Sequence, residues 1–222
     1  MQRIFRKLTD YMEHYIELKV PIRNDAKWFK ALKEKLSERG LKVKWQNAYY
    51  HITLVFITEI VSKKGRSILY APNSCLRFAA APHLTFDKLD AFTSHSGDHI
   101  IHLTSSCPSK EFNDLVNSVR QAIDEAGWKH EPEFRLHVTL GRMPSGQISH
   151  EDLLAIIREV QLPAFTLQLS EARFMKRENH EVLESYHLYP DEDSAQKAME
   201  ERRRRAFMNA FSNFQLFADP DF

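Results

Sequence analysis

The sequence predicts an α+β fold built from two copies of one β-α-β-β unit. Three observations predict it. The tetrapeptide His137-Val138-Thr139-Leu140 repeats His51-Ile52-Thr53-Leu54. Each copy lies in an apolar, β-branched run, HITLVFI or LHVTL, a composition that favours strands. The same order of strand and helix signals precedes each copy. A chain of 222 residues suits one domain, or two small lobes sharing a core.

Residues 1–13 read as an N-terminal extension, with Ile4, Phe5, Leu8, Tyr11 and Met12 on one side of a short amphipathic helix. His14 to Ile22 reads as a strand. Asn24 or Asp25 can cap a helix through Trp28, Phe29, Leu32 and Leu36, and Gly40 ends it. A strand at Leu41 to Trp45 leads to the strand carrying His51 and Thr53. The order then repeats. Ile100 to Ser105 is the first strand; Ser109 caps a helix through Phe112, Leu115, Val116, Val119 and Ile123; Gly127 ends it. Trp128 to Phe134 leads into the strand of His137 and Thr139. Tyr15 precedes His51 by 36 residues, and Ile101 precedes His137 by 36.

The repeat extends further. Pro82 to Phe86, running on to Asp90-Ala91, aligns with Pro163 to Leu167, running on to Glu171-Ala172. Both read as strands that close their lobe. Before the second, Ser149 and Asp152 suggest the cap of a helix through Leu153, Ile156, Ile157 and Val160. Before the first, Asn73 to Ala80 reads as a shorter helix. The expected organisation is an extension at 1–13, one domain over 14–190 and a helical tail over 191–222. Within the domain, lobe one covers about 14–98 and lobe two about 99–190. In the tail, Arg202 to Arg205 and the phenylalanines 207, 211 and 214 fit a helix packed on the body. The alternative to that packing is a basic grip on RNA or a partner surface.

On a strand, residues i and i+2 share a face, so each copy presents an imidazole and a hydroxyl side by side. A lone His-x-Thr means little: 11 His and 8 Thr predict less than one by chance, and the chain holds four, at His51, His83, His102 and His137. The duplication sorts them. His51 and His137 are equivalent; the repeat sets His102 against Ile16 and His83 against Ala164, which marks both as structural or edge histidines.

Composition narrows the function. An apolar content of 43% is ordinary for a globular protein, and 31 basic residues balance 30 acidic ones, so the chain is no strongly basic nucleic-acid coater. It has no apolar run long enough to span a membrane, and MQRIFRKLTDYM lacks the core of a signal peptide. Cys75 and Cys107 form no metal or disulfide pattern, which points to a reduced, cytoplasmic setting. A monomer without membrane association is expected.

Two imidazoles suit metal-free phosphodiester cleavage. One accepts a proton from the attacking hydroxyl or water and the other donates one to the leaving oxygen, with an ordinary pKa of about 6.5 serving both. The hydroxyls of Thr53 and Thr139 can donate to non-bridging phosphate oxygens. Arg142, five residues after His137, can add a bidentate contact or simply occupy a surface turn. A metal site is the rival use of paired histidines, but there is no His-x-x-x-His and no acid at ligand spacing. No cofactor is expected. Tyr49, Phe56 and Tyr186 are candidates to stack on a base; Tyr50, which alternates with His51, should face away.

Two HxTx motifs, His51 to Leu54 and His137 to Leu140, in a duplicated β-α-β-β frame resemble the 2H phosphoesterase superfamily, and HVTLGR resembles the second motif of its LigT-like branch, the 2'-5' RNA ligase or RNA 2',3'-cyclic phosphodiesterase family. The resemblance covers about residues 14–190. It implies a bilobal fold with two antiparallel sheets facing a central cleft, histidines at its centre. It also implies metal-independent hydrolysis of 2',3'-cyclic phosphate or 2'-5' phosphodiester bonds in RNA or nucleotides. The chain departs from the pattern at Thr58 to Ala81, which holds Gly65 and Pro72 where a long helix is expected. Two other readings stand beside this one: a non-catalytic RNA- or nucleotide-binding module, and a hydrolase of a cyclic or 2'-5' oligonucleotide signal.

Overall fold

A computed structural model describes residues 14–61 and 67–216. The helix expected over residues 1–13 lies outside the described residues. The first unit runs β1 (His14–Lys19), α1 (Lys27–Glu38), β2 (Lys44–Trp45) and β3 (His51–Glu59), followed by α2 (Tyr70–Leu76), β4 (His83–Phe86) and β5 (Lys88–Thr93). The second runs β6 (His99–Thr104), α3 (Lys110–Ala126), β7 (Lys129–His130) and β8 (Val138–Met143), followed by α4 (His150–Arg158), β9 (Phe165–Gln168), β10 (Glu171–Lys176) and β11 (Glu181–His187). A last helix, α5 (Glu192–Leu216), follows.

Every paired strand is antiparallel to its neighbour. Sheet one has the order β11-β10-β1-β3-β7, sheet two β2-β8-β6-β5, and β4 pairs with β9 alone. The sequence halves therefore do not coincide with the sheets. The first half lends β2 and β5 to sheet two, and the second lends β7, β10 and β11 to sheet one. The lobe boundary expected near residue 98 separates copies of the repeat, not sheets. The two closing strands are also not lobe-bound: β4 and β9 meet each other, and the Thr85 and Thr166 hydroxyls are 2.7 Å apart.

The repeat is nonetheless visible in the pairing. β10-β1-β3-β7 corresponds to β5-β6-β8-β2, and both central pairs carry a bulge at the same place. Between β1 and β3 the register passes from Glu17↔Thr53 to Ile16↔Val55; between β6 and β8 it passes from His102↔Thr139 to Ile101↔Gly141. One extra residue on the motif strand, Leu54 or Leu140, reverses which side chains reach each face beyond it. This corrects the expected alignment: the counterpart of His102 is Glu17, not Ile16. The spacing explains the slip, because 36 residues separate Glu17 from Thr53 but 37 separate His102 from Thr139.

The helices form where their caps and apolar faces direct. Ser109 accepts from the Phe112 amide, Gly127 closes α3 in the left-handed region, and Ser149 caps α4 through the Asp152 amide. α1 differs from expectation: its cap is Ala26, because Asn24 is hydrogen-bonded to the Asn47 carbonyl and the Tyr50 hydroxyl, while Asp25 takes both arms of Arg23. α3 lies on sheet one against β3 and β7, and α4 packs against β5 of sheet two. One continuous core joins them. It contains Phe29, Leu32 and Leu36 of α1, Phe112, Val119 and Ile123 of α3, and Ile52, Leu54, Val138 and Leu140 of the motif strands. Burying each such side chain contributes about 1.5–3 kcal/mol, so the strands that carry both motifs are anchored at the core.

α5 begins as expected, with the Asp191 side chain accepting from the Ser194 amide. Ala195 is buried, the Arg202 guanidinium lies 5.7 Å from the Phe78 ring centre, and Phe207 and Met208 are exposed. No helix among the described residues is long and apolar enough to cross a membrane.

Candidate active site

The helix-free side of sheet one carries Tyr15 and Glu17 from β1, His51, Thr53 and Phe56 from β3, and Arg173 from β10. Alternation brings Thr53 to the side of His51, and the bulge at Leu54 returns Phe56 to it, where Tyr15 stacks on Phe56 at 6.5 Å. Tyr15 and Tyr49 flank the His51 ring at 6.0 and 5.4 Å between centres. The Arg173 guanidinium lies over Tyr49 and pairs with Glu171, which also accepts from Lys19.

Sheet two mirrors this with different chemistry. Thr139 pairs with His102, whose ring centre is 5.9 Å from that of His137 in an edge-to-face contact, and Phe92 meets His137 edge-on at 5.3 Å. The bulge at Leu140 brings Arg142 to an exposed position on this face, while Gly141 turns inward against Val43 and Trp45. The Arg135 guanidinium sits over the Phe92 ring at 4.6 Å.

Both motif histidines are held in less polar surroundings than water. Burial lowers the His51 pKa to about 4, and the nearby His137 and His180 act in the same direction. Burial likewise lowers His137. The Arg135 carbonyl, 2.8 Å from its Nδ1, opposes the shift, and the charges of Arg135 and Arg142 reinforce it. The carbonyl can only accept, so Nδ1 of His137 carries hydrogen and its Nε2 is left as an acceptor.

His51 has a different partner. Its Nδ1 lies 3.5 Å from Oε2 of Glu17, a fully buried carboxyl with neither oxygen otherwise hydrogen-bonded. Burial raises Glu17 to about 7, with Arg173 lowering and Glu171 raising it. Burial thus favours the neutral form of each group, and the contact is between an imidazole and a carboxyl, not a strong ion pair. His102 is lowered to about 4, again chiefly by burial, and its Nδ1 is 3.3 Å from the Ile100 carbonyl.

The sequence-predicted residues divide as follows. His51, Thr53, Tyr49 and Phe56 share the open face of sheet one; His137, Thr139 and Arg142 share that of sheet two. Tyr50 faces away, as alternation requires, its hydroxyl donating to the Gln46 carbonyl. Tyr186 does not join the site. The β10–β11 register sets it beside Ala172 on the helix-covered side, 6% exposed, and burial raises its hydroxyl far above the ordinary range. Its ring is therefore not placed to stack on a base. Sequence reasoning missed Glu17, Tyr15 and Arg173; His102, set aside as a structural histidine, is buried beside His137. The signal for Glu17 was present: a carboxylate in the middle of the apolar run HYIELKV. Among the described residues, no three His, Cys, Asp or Glu side chains converge to hold a metal ion.

The model of the 2'-5' RNA ligase superfamily matches residues 24–181. The chain belongs to that superfamily. This places it among the 2H phosphoesterases of the LigT-like family. Solved structures share the fold. Escherichia coli LigT complexed with 3'-AMP aligns with a TM-score of 0.54 and 15% identity over 80% of this chain and 98% of its own. A Thermus thermophilus protein aligns at 0.51 with 14% identity over 80% and 98%. A crystal structure described as a phosphoesterase aligns at 0.50 with 16% identity over 81% and 99%. No curated protein sequence matches this LigT-like chain.

Proposed function

We propose that the protein is a metal-independent phosphodiesterase that cleaves 2',3'-cyclic phosphate or 2'-5' phosphodiester bonds in RNA or nucleotides. The observation that carries this reading is the duplicated histidine–threonine pair. His51 with Thr53 on β3, and His137 with Thr139 at the start of β8, occupy equivalent places at the inner strands of two sheets, and the charge of His137 acts on His51. A phosphate between them would meet a proton donor, a proton acceptor and two hydroxyl donors, which is the set that in-line hydrolysis of a phosphodiester needs. Arg142 would bind a non-bridging oxygen, and Tyr49 and Phe56, backed by the buried Tyr15, would offer a stacking platform on the opposite sheet. The resemblance to LigT, solved with 3'-AMP and with NADP+, supports a nucleotide as ligand.

The test is product analysis in the presence of a chelator. Purified protein is incubated with an RNA ending in 2',3'-cyclic phosphate and with a 2'-5'-linked triadenylate. His51→Ala and His137→Ala are run beside it. Turnover by the wild type and a loss of about 10²–10⁴-fold in each variant, with unchanged melting, are expected. Near-wild-type turnover by either variant overturns the reading, and tight binding without cleavage would favour a binding module.

A further inference from the structure

We propose that Glu17 is a positioning residue for His51: the two share one proton between Oε2 and Nδ1, which makes His51 the proton donor of the site and leaves His137 the acceptor. This rests on the phosphodiesterase reading.

The geometry is asymmetric in a pseudo-symmetric frame. Glu17 and His102 hold equivalent places, each paired across from a motif threonine. One presents a carboxyl to its motif histidine, the other an imidazole. Both Glu17 oxygens and the Nδ1 of His51 are buried without a hydrogen bond, and they face each other at 3.5 Å. Two orphaned buried groups of complementary chemistry are costly apart, and a small side-chain adjustment joins them. A carboxyl O–H donating to Nδ1 fixes the hydrogen of neutral His51 on Nε2, toward the substrate. On the other sheet the Arg135 carbonyl fixes the hydrogen of His137 on Nδ1 and presents a bare Nε2.

The step balances. Nε2 of His137 takes the proton of the attacking water while its oxygen forms a bond to phosphorus. The P–O bond to the leaving group breaks, and the leaving oxygen takes the Nε2 proton of His51. The Glu17 proton then passes to Nδ1, leaving His51 neutral and Glu17 a carboxylate opposite Arg173. The surroundings favour this division. Glu17 is faced by Arg173 and Glu171 from β10, by Tyr15 from its own strand and by His51; Lys19 is held by Glu171. His51 is faced by His137, His180, Tyr15 and Tyr49. His137 is faced by His102, Arg135 and Arg142, whose charge disfavours an imidazolium there. Burial keeps the Glu17 proton in place up to about pH 7.

Two measurements test this. Nitrogen-15 NMR of the wild-type imidazoles at pH 6 is expected to show Nε2–H at His51 and Nδ1–H at His137; Nδ1–H at His51 overturns the pairing, whether or not the protein turns over any substrate. Kinetics then compare leaving groups, using a nucleoside 2',3'-cyclic phosphate and a nucleoside p-nitrophenyl phosphate, whose phenolate departs without an acid. Glu17→Gln should lower kcat on the first by about 10²-fold and on the second by less than about threefold, with KM unchanged. Equal losses on both would mean that Glu17 serves only the fold. If the wild type cleaves neither ester, the phosphodiesterase reading fails, while the His51 tautomer still decides the pairing.

Discussion

Phe56 occupies in sheet one the place that Arg142 occupies in sheet two. Each lies three residues beyond its motif threonine and just past a bulge, with Phe56 paired to Tyr15 and Arg142 to Ile100. The frame is symmetric and the chemistry is not. An aromatic ring stands at this position on one sheet and a guanidinium on the other.

Arg142 is therefore expected to hold phosphate. A hydrogen bond to a charged group is worth about 1.5–3 kcal/mol net, so Arg142→Ala should lower kcat/KM by roughly 10–100-fold. Arg142→Lys should recover only part of the loss, because lysine lacks the planar fork. Steady-state kinetics on the cyclic-phosphate substrate, with melting curves to confirm an intact fold, check both. The side chain is exposed, so stability should not move.

Phe56 is expected to act on binding instead. Base stacking contributes about 1–3 kcal/mol, so Phe56→Ala should raise KM by about fivefold to a hundredfold. Because the ring is remote from proton transfer, kcat should hold. A fall in kcat with constant KM would assign the ring to packing against Tyr15 and Arg177.

Gly141 sits between the two requirements of its strand. A Cβ there would lie 2.7 Å from Cγ1 of Val43 and 2.9 Å from Cε3 of Trp45, closer than any relaxed packing allows. Overpacking of this kind costs about 1–3 kcal/mol. Gly141→Ala should lower Tm by roughly 2–10 °C, read by calorimetry. Trp45→Leu in the same chain should restore part of the loss, since it vacates the space the methyl needs.

How far the sequence could be read follows from these same residues. The motif strands, the α3 and α4 caps at Ser109 and Ser149 and the turn at Gly127 follow local rules, so they were legible. The bulges were not. Nothing in HITLVFI or HVTLGRM says that Leu54 and Leu140 insert an extra residue, yet those insertions bring Phe56 and Arg142 to the site. Alternation alone would have sent both to the core. Tyr186 fails for the same reason, its face being set by pairing with β10, the strand on the other side of its hairpin. The exchange of β2, β5, β7, β10 and β11 between sheets is a property of tertiary pairing that periodicity cannot carry. Glu17 was visible as a misplaced charge, but its meaning appears only when β1 lies beside β3.

The buried carboxyl also leaves a mark on stability. Glu17 titrates near 7 in the folded protein and at the ordinary value of 4.5 when unfolded. Between those values the folded state holds a proton that the unfolded state has released. Stability from this group therefore falls as pH rises from about 4.5 to about 7 and is level above it. His51 and His102, lowered by burial, act in the opposite sense, with stability rising as pH climbs from about 4 to about 6.5. The wild-type profile mixes these effects, so the informative quantity is the difference between wild type and Glu17→Gln. Glutamine keeps the shape and cannot ionise. The variant should gain stability relative to wild type as pH goes from 5 to 8, by on the order of 3 kcal/mol at most, one pKa unit corresponding to about 1.4 kcal/mol. Urea unfolding at pH 5, 6, 7 and 8 measures it. A difference that does not change with pH would mean that Glu17 is ionised throughout, held so by Arg173, and that the burial of its carboxyl is compensated from β10 instead of from His51.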